Sequence, residues 1–324
     1  MLFEIENPYM DMMLKNEEDV LAMTESMLVY AFESGVFTYR ELADMIQAQV
    51  TTLEELDRHI QGLQDTQKLK AWCRFKQKYS LAYFRKLYKR YHIHPVTILN
   101  TQRYPKPLLQ TYQPNLVLFC QGDLAIFQKP AMAVVGSRKM SVYGKAAIDQ
   151  LIPELSEAVV IVSGLAKGVD AYTHQAAMSG GETIAVIGTG LLTSYPSDHH
   201  KLQAEIAHNH LLVSPLPNHA KIQRWHFPYR NLTIAGLSQA TMVIEAAEKS
   251  GSLITANYAL QENRLVFAVP GPISNPLSAG TNQLIYYGAT PALQASEILR
   301  DLFFNVYKNL IFACEFANKQ LSSI

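Results

Sequence analysis

Apolar residues between Ala131 and Val162 fall in two unbroken runs, AMAVV (131–135) and VVIV (159–162), around a stretch with helical spacing from about Val142 to Glu157. Unbroken runs, unlike alternating ones, mark strands covered on both faces, so the pattern predicts a parallel βαβ unit. The same rhythm continues with strands at TIAVI (183–187), LLVS (211–214), MVIEA (242–246) and LVFAV (265–269) and helices at Ser197–Asn209 and Ser252–Gln261. Strands alternating with helices of this length predict a doubly wound, mostly parallel α/β sheet. NLVLFC (115–120) predicts a further strand at the near edge of that sheet.

The first hundred residues carry a different period. Leu21, Met27, Leu28, Ala31 and Phe32, then Leu42, Met45 and Ile46, then Leu53, Leu56 and Ile60 recur at helical spacing, with Gly35 and Gly62 as terminators. From Lys68 to Arg90 bases interleave with Trp72, Phe75, Tyr79, Tyr83, Phe84 and Tyr88. Such a helix could contact nucleic acid, but rings at three-to-four spacing predict a core stripe with the bases on its solvated face. Prolines 95, 105, 107 and 114 punctuate the next stretch, which is expected to be a connection into the second domain. The division expected is therefore a helical domain over 1–100, an α/β domain over 101–300, and a C-terminal apolar helical tail over 301–324 that is too short for a winged helix.

A chain of 324 residues, 48% hydrophobic and 17% charged, can bury a substantial core. Cys73, Cys120 and Cys314 lack paired spacing, so neither a disulfide framework nor a zinc site is expected. The start is acidic and no stretch approaches the length of a membrane span, so a cytoplasmic setting without a membrane span is expected. The net charge of zero conceals an imbalance: residues 1–50 hold 10 acidic and 2 basic residues, and residues 51–100 hold 4 acidic and 10 basic. Only local patches therefore bear on nucleic-acid binding.

Candidate chemistry sits where strands end. Gly136-Ser137-Arg138, Ser163 to Gly168 (SGLAKG) and Gly188-Thr189-Gly190 are small-residue turns that let backbone amides approach phosphate, and Arg138 and Lys167 add charge. Three such turns in series, two with a base, predict a site for an anion with several phosphates. Neither the dinucleotide fingerprint nor a P-loop is present, so no dehydrogenase or ATPase is expected. Lys221 to Ser238 (KIQRWHFPYRNLTIAGLS) mixes Lys221, Arg224 and Arg230 with Trp225, Phe227 and Tyr229 and leads into a helix from Asn231. That mixture suits either stacking of unpaired bases or rings plugging the end of the sheet. Asp170 and His174 have the spacing of an acid–base pair, read here as a helix cap and a structural hydrogen bond. His199, His200, His208 and His210 lack completing ligands and are read as surface residues, so no metal and no cofactor are expected.

Taken in order, VGSR (135–138) with SVYG (141–144), SGLAKGVDAYTH (163–174), TIAVIGTGL (183–191) with Tyr195-Pro196, HFPYRN (226–231) with IAGLS (234–238), VIEA (243–246), SGSLITA (250–256), VFAVPG (266–271) and GTNQLIYYGA (280–289) resemble the DprA/Smf family of DNA-processing proteins. The resemblance covers about Tyr104 to Ala289. It implies an extended Rossmann-like domain, preceded in some members by a SAM-like helical domain. It also implies a non-enzymatic protein that binds single-stranded DNA, protects incoming strands in natural transformation and loads the RecA recombinase. Carried over by position, Gly136, Ser137, Arg138, Arg224, Phe227, Arg230 and Asn231 would line the strand-binding pocket. Lys167 joins them on the phosphate argument, and Lys201, after the Tyr-Pro pair, is a further candidate. The resemblance also implies a homodimer, for which the apolar helix with Leu284, Ile285 and Leu293 is a patch; an ordinary core helix is the alternative. Two departures stand out: Leu232 follows Arg230-Asn231 where the family has a base, and Pro215 follows Ser214 where it has Glu, so binding is expected to be weaker but retained. The rivals are a Rossmann-like hydrolase of nucleoside monophosphates, for which Glu245 is the only strand-end carboxylate, and a nucleotide carrier.

Overall fold

The computed structural model describes residues 18–304. Five helices lead: α1 (Glu18–Ser34), α2 (Tyr39–Gln47), α3 (Leu53–Gly62), α4 (Thr66–Lys78) and α5 (Leu81–Tyr91). Thr38 and Thr52 open α2 and α3 as capping boxes with Glu41 and Glu55, while Asp65 and Ser80 accept from the first-turn amides of α4 and α5. Each short helix therefore starts where a side chain satisfies its orphan donors. The ring stripe of α4 and α5 turns inward except at Tyr83, which is exposed: Trp72 is fully buried, Phe75 stacks on it at 5.7 Å, and Phe84 stacks on Phe75 at 5.9 Å.

The proline-rich stretch is more than a connection, because it holds β1 (His94–Thr97) before α6 (Lys106–Leu109) and β2 (Val117–Gly122). β1 pairs antiparallel with β2 as the outer strand, so β2 is not the edge that the sequence suggests. Four residues containing Pro95 give little strand signal, and an outer strand tolerates the missing donor.

The alternation then follows as β3 (Ala131–Val135), α7 (Val142–Ala158), β4 (Val160–Ser163), α8 (Val169–Ala177), β5 (Thr183–Val186), α9 (His200–Asn209), β6 (Leu211–Ser214), α10 (His226–Gly236), β7 (Ala240–Val243), α11 (Gly251–Gln261), β8 (Leu265–Ala268), α12 (Ala279–Tyr286) and β9 (Thr290–Pro291). Residues 295–304 are helical; the rest of the tail expected over 301–324 lies outside the described residues.

The chain divides into two units, Met1–Gln128 with Ile184–Gly236, and Lys129–Thr183 with Leu237–Ile324. In the first, strands run in the order β1-β2-β6-β5, antiparallel except for β5 with β6. In the second, the order β4-β3-β7-β8-β9 is parallel throughout. Every residue of β3, β4 and β7 is buried, and Met132, Val134, Ile148, Leu155, Phe267 and Ile298 belong to one core cluster of the second unit. Parallel strands flanked by helices give the α/β class that the unbroken apolar runs predict, Rossmann-like as the family resemblance implies. Among the described residues no helix is long and apolar enough to cross a membrane.

Candidate nucleic-acid interface

In the second unit, the turns after β3 and β4 are in backbone contact. Val169 N donates to Ser137 O at 3.1 Å, and Gly168, at φ 80°, lies so close that an added Cβ would stand 2.4 Å from Ser137 O and 2.7 Å from Arg138 O. Gly136 makes the reciprocal approach, with a Cβ position 2.8 Å from both Val169 methyls. Leu165 is buried at φ 57°, a left-handed conformation that costs an L-residue roughly 1–2 kcal/mol and is held by this packing. Asp170 Oδ2 accepts from Ala166 N at 3.4 Å, a bond that pins the turn before α8; the expected helix cap is not made, since Gly168 is the N-cap and no side chain caps it. Ser137 is buried, its Oγ accepting from Lys139 N at 3.0 Å, whereas Arg138 and Lys167 are exposed on these two touching turns. Two cations and small-residue backbone on one rigid element suit an anionic ligand.

Neighbouring polar groups in this unit serve the fold. Glu245 is buried beyond the end of β7 and accepts from Ser141 N at 2.9 Å and Ser141 Oγ at 2.5 Å, and Ser141 Oγ in turn accepts from Gly144 N. The strand-end carboxylate of the hydrolase rival is thus committed to the N-terminus of α7. His174 Nδ1 lies 2.6 Å from Thr183 Oγ1, whose proton goes to Ile161 O, so the imidazole is a structural donor. Leu284 and Ile285 are half-buried on α12 and Leu293 is exposed. Among the described residues no His, Cys, Asp or Glu group could hold a metal ion.

In the first unit, α10 begins at His226, five residues earlier than the sequence suggests. Pro228 obscures the start, yet proline is at home in a first turn, where its amide would have no partner. Phe227, Arg230 and Asn231 therefore share a helical side at i, i+3 and i+4 spacing. The Phe227 ring lies on Gly188, where a Cβ would stand 2.8 Å from Cδ1, and tilts against Tyr195 at 5.4 Å between centroids. Phe227 is half-buried and Tyr195 exposed. Trp225 is exposed, its indole N–H donating to Gln223 Oε1 at 2.8 Å and its ring edge-on to His226. Phe227 thus plugs the Gly188 turn with one side of its ring and stays partly exposed. Arg224, and Lys201 in the first turn of α9, are exposed.

Two expectations change. Arg230 is only 5% exposed; its Nη1 donates to Val186 O at 2.6 Å and its Nε to Asn231 Oδ1 at 3.1 Å, so it braces α10 against the end of β5 and is not a surface base. Gly188-Thr189-Gly190 is buried, with Phe227 over Gly188 and Pro217 O and Asn218 Cα 2.7 Å from a Cβ on Gly190, so this turn packs where the other two open. Leu232, at the place of the family's base, is exposed, and Ser214 supports the Gly-Thr-Gly turn through Oγ to Thr189 O at 2.6 Å.

The clamp on the loop before Arg224 has no motif. Glu33, 3% exposed at the end of α1, accepts from Asn218 N at 2.9 Å, Asn218 Nδ2 at 2.7 Å and Tyr88 Oη at 2.9 Å. A carboxylate three and four residues after the buried Tyr30 and Val29 of α1 is the one signal that could have pointed to it. Burial pushes its pKa above the ordinary carboxylate range, against the lowering by its three donors. A raised folded value means that the native state binds this proton more tightly than the unfolded state. The associated stability is then full below the ordinary carboxylate value and is lost as pH rises through the folded one. Urea unfolding between about pH 4 and pH 7 is expected to show wild type losing stability relative to Glu33→Gln as pH rises; a constant difference would refute this.

Comparison with known proteins adds the family. The chain is 43% identical over 202 residues to the DNA processing protein DprA of Streptococcus pneumoniae, covering 62% of this chain and 72% of that one. The solved structure of that organism's DNA processing protein A superposes with a TM-score of 0.74 at 34% identity, covering 86% of this chain and 97% of the other. DNA processing protein A of Helicobacter pylori, whose structure is described for its single-stranded DNA binding mode, matches at a TM-score of 0.60 and 28% identity over 66% of this chain and 97% of that one. The profile described as DNA recombination-mediator protein A matches residues 95–303, a stretch that takes in both open turns and the Arg224–Asn231 segment, and the chain belongs to this DprA/Smf family of DNA-processing recombination mediators.

Proposed function

We propose that this protein binds single-stranded DNA without catalysing a reaction on it, shields incoming strands and loads RecA onto them in natural transformation. Phosphates would meet Arg138, Lys167 and the Gly136–Ser137 backbone in one unit, and Arg224, Lys201 and the Asn231 side of α10 in the other. The observation that carries the reading is the Phe227–Tyr195 ring pair, with exposed Arg224 three residues before Phe227 in the chain, since unpaired bases need flat rings as well as neutralised phosphates and a free phosphate does not. The capture of Glu245 by Ser141 counts against the hydrolase. Homodimerisation through Leu284, Ile285 and Leu293 completes the proposal.

Fluorescence anisotropy with oligothymidylate tests it. Phe227→Ala is expected to weaken binding by roughly 5- to 150-fold, the worth of about 1–3 kcal/mol of stacking. Arg138→Ala should cost about tenfold and reduce the salt slope by about 0.7, one phosphate contact. Wild-type affinity in both variants would remove the site, and failure of the purified protein to speed RecA assembly on coated strands would remove the loading role.

A further inference from the structure

No aspartate or glutamate occurs between Asp65 and Asp123, while eleven lysines and arginines do. Of these, Lys68 is paired with Glu41 and Lys76 with Asp57. Lys70, Arg74, Lys78, Arg85, Lys86, Lys89 and Arg90 are exposed and have no acidic partner among the described residues. On α5 the pairs Arg85/Lys89 and Lys86/Arg90 stand one turn apart, an arrangement of like charges that opposes helix formation unless an anion lies along it. The α5 segment also presents flat surfaces: Tyr83 and Tyr91 are exposed, and the Arg90 guanidinium lies 5.3 Å over the Tyr91 ring.

This face is continuous with the loop that leads to Arg224. Tyr79 stacks on His219 at 4.7 Å and 16°, and Tyr83 Oη lies 3.3 Å from His219 Nε2, two residues before Lys221. The ends of the α4–α5 stripe and of the basic loop thus meet within one unit. Resting on the single-strand reading above, we infer that the strand runs on from Lys221 and Arg224 over the outer face of α5, so that the helical region is a second stretch of the DNA-binding track. Bases with interleaved exposed rings fit an unpaired polynucleotide better than an acidic peptide, which would use the charges and leave the rings idle.

The test compares wild type, the quadruple variant Arg85→Gln, Lys86→Gln, Lys89→Gln, Arg90→Gln, and Arg138→Ala, in the full chain. Anisotropy is measured over a salt series with oligothymidylates of about 6 and about 30 nucleotides, either side of a typical single-module site size. The quadruple variant should bind the short strand like wild type but the long strand more weakly, with a salt slope smaller by roughly 2–3, the loss of three or four phosphate contacts. Far-UV circular dichroism should be unchanged, since all four positions are exposed. An unchanged long-strand slope overturns the inference; if Arg138→Ala still weakens both lengths, the primary site survives it. Loss of poly-L-glutamate binding with long-strand affinity intact would also overturn it, assigning the face to an acidic protein. If wild type binds neither strand, both readings fall.

Discussion

Arg230→Ala is expected to lower the unfolding free energy by roughly 3–5 kcal/mol, far more than the loss of a surface base would. The side chain is almost fully buried, and its guanidinium holds the Val186 carbonyl and the Asn231 amide oxygen at once. A hydrogen bond to a charged group contributes about 1.5–3 kcal/mol, and the vacated volume adds a cavity term of similar size. Arg230→Lys should recover little, because a compact ammonium cannot span two acceptors that a planar fork reaches together. Urea denaturation decides the matter alongside the salt dependence of DNA binding. If Arg230 is a strut, stability falls in both variants while the salt slope of the folded fraction keeps its value. Stability within about 0.5 kcal/mol of wild type, with a reduced slope, would return Arg230 to the list of phosphate-binding bases.

Gly168→Ala is the second large effect. At φ 80° an alanine would sit in a region open chiefly to glycine, and its methyl would lie 2.4 Å from Ser137 O and 2.7 Å from Arg138 O. Those neighbours are backbone atoms and cannot swing aside, so relief requires moving the whole Gly136–Arg138 turn. Conformational strain of about 1 kcal/mol and overpacking of about 1–3 kcal/mol sum to roughly 2–4 kcal/mol of lost stability. DNA affinity should fall in the fraction that remains folded, because Arg138 rides on the displaced turn. Gly62→Ala is the matched control, since nothing lies within 4 Å of its Cβ position. Thermal unfolding and anisotropy together test the idea, and equal behaviour of the two variants would refute it.

The architecture was legible because it rests on local periodicity. Unbroken runs such as 131–135 signal strands buried on both faces, and the three-to-four spacing of Leu42, Met45 and Ile46 signals a helix with one buried side. β1 was missed because four residues with a proline carry too little pattern. The start of α10 was displaced because a proline normally read as a breaker sits where a first turn accepts it. The candidate site was legible in part: the open turns with Arg138 and Lys167 follow from strand ends, whereas the sequence left Trp225 and Phe227 between stacking and plugging and only packing exposes Trp225 and half-buries Phe227. The packing role of Gly188 and Gly190 was not, since a glycine that admits a phosphate and one that admits a phenylalanine ring look alike in sequence.

By itself the sequence determined the α/β class, the leading helices, the ordered motif series that marks the DprA/Smf family, and the two small-residue turns with their cations. Those features depend on neighbours a few residues away or on a motif order written directly in the chain. Only the tertiary structure decided that Arg230 faces inward, that Gly168 must meet Ser137 O, and that Glu33 clamps Asn218 across 185 residues of chain. Whether a polar side chain is a ligand-binding group or a strut depends on which distant carbonyl or amide shares its space. That partner is supplied by packing and leaves no period in the sequence to find.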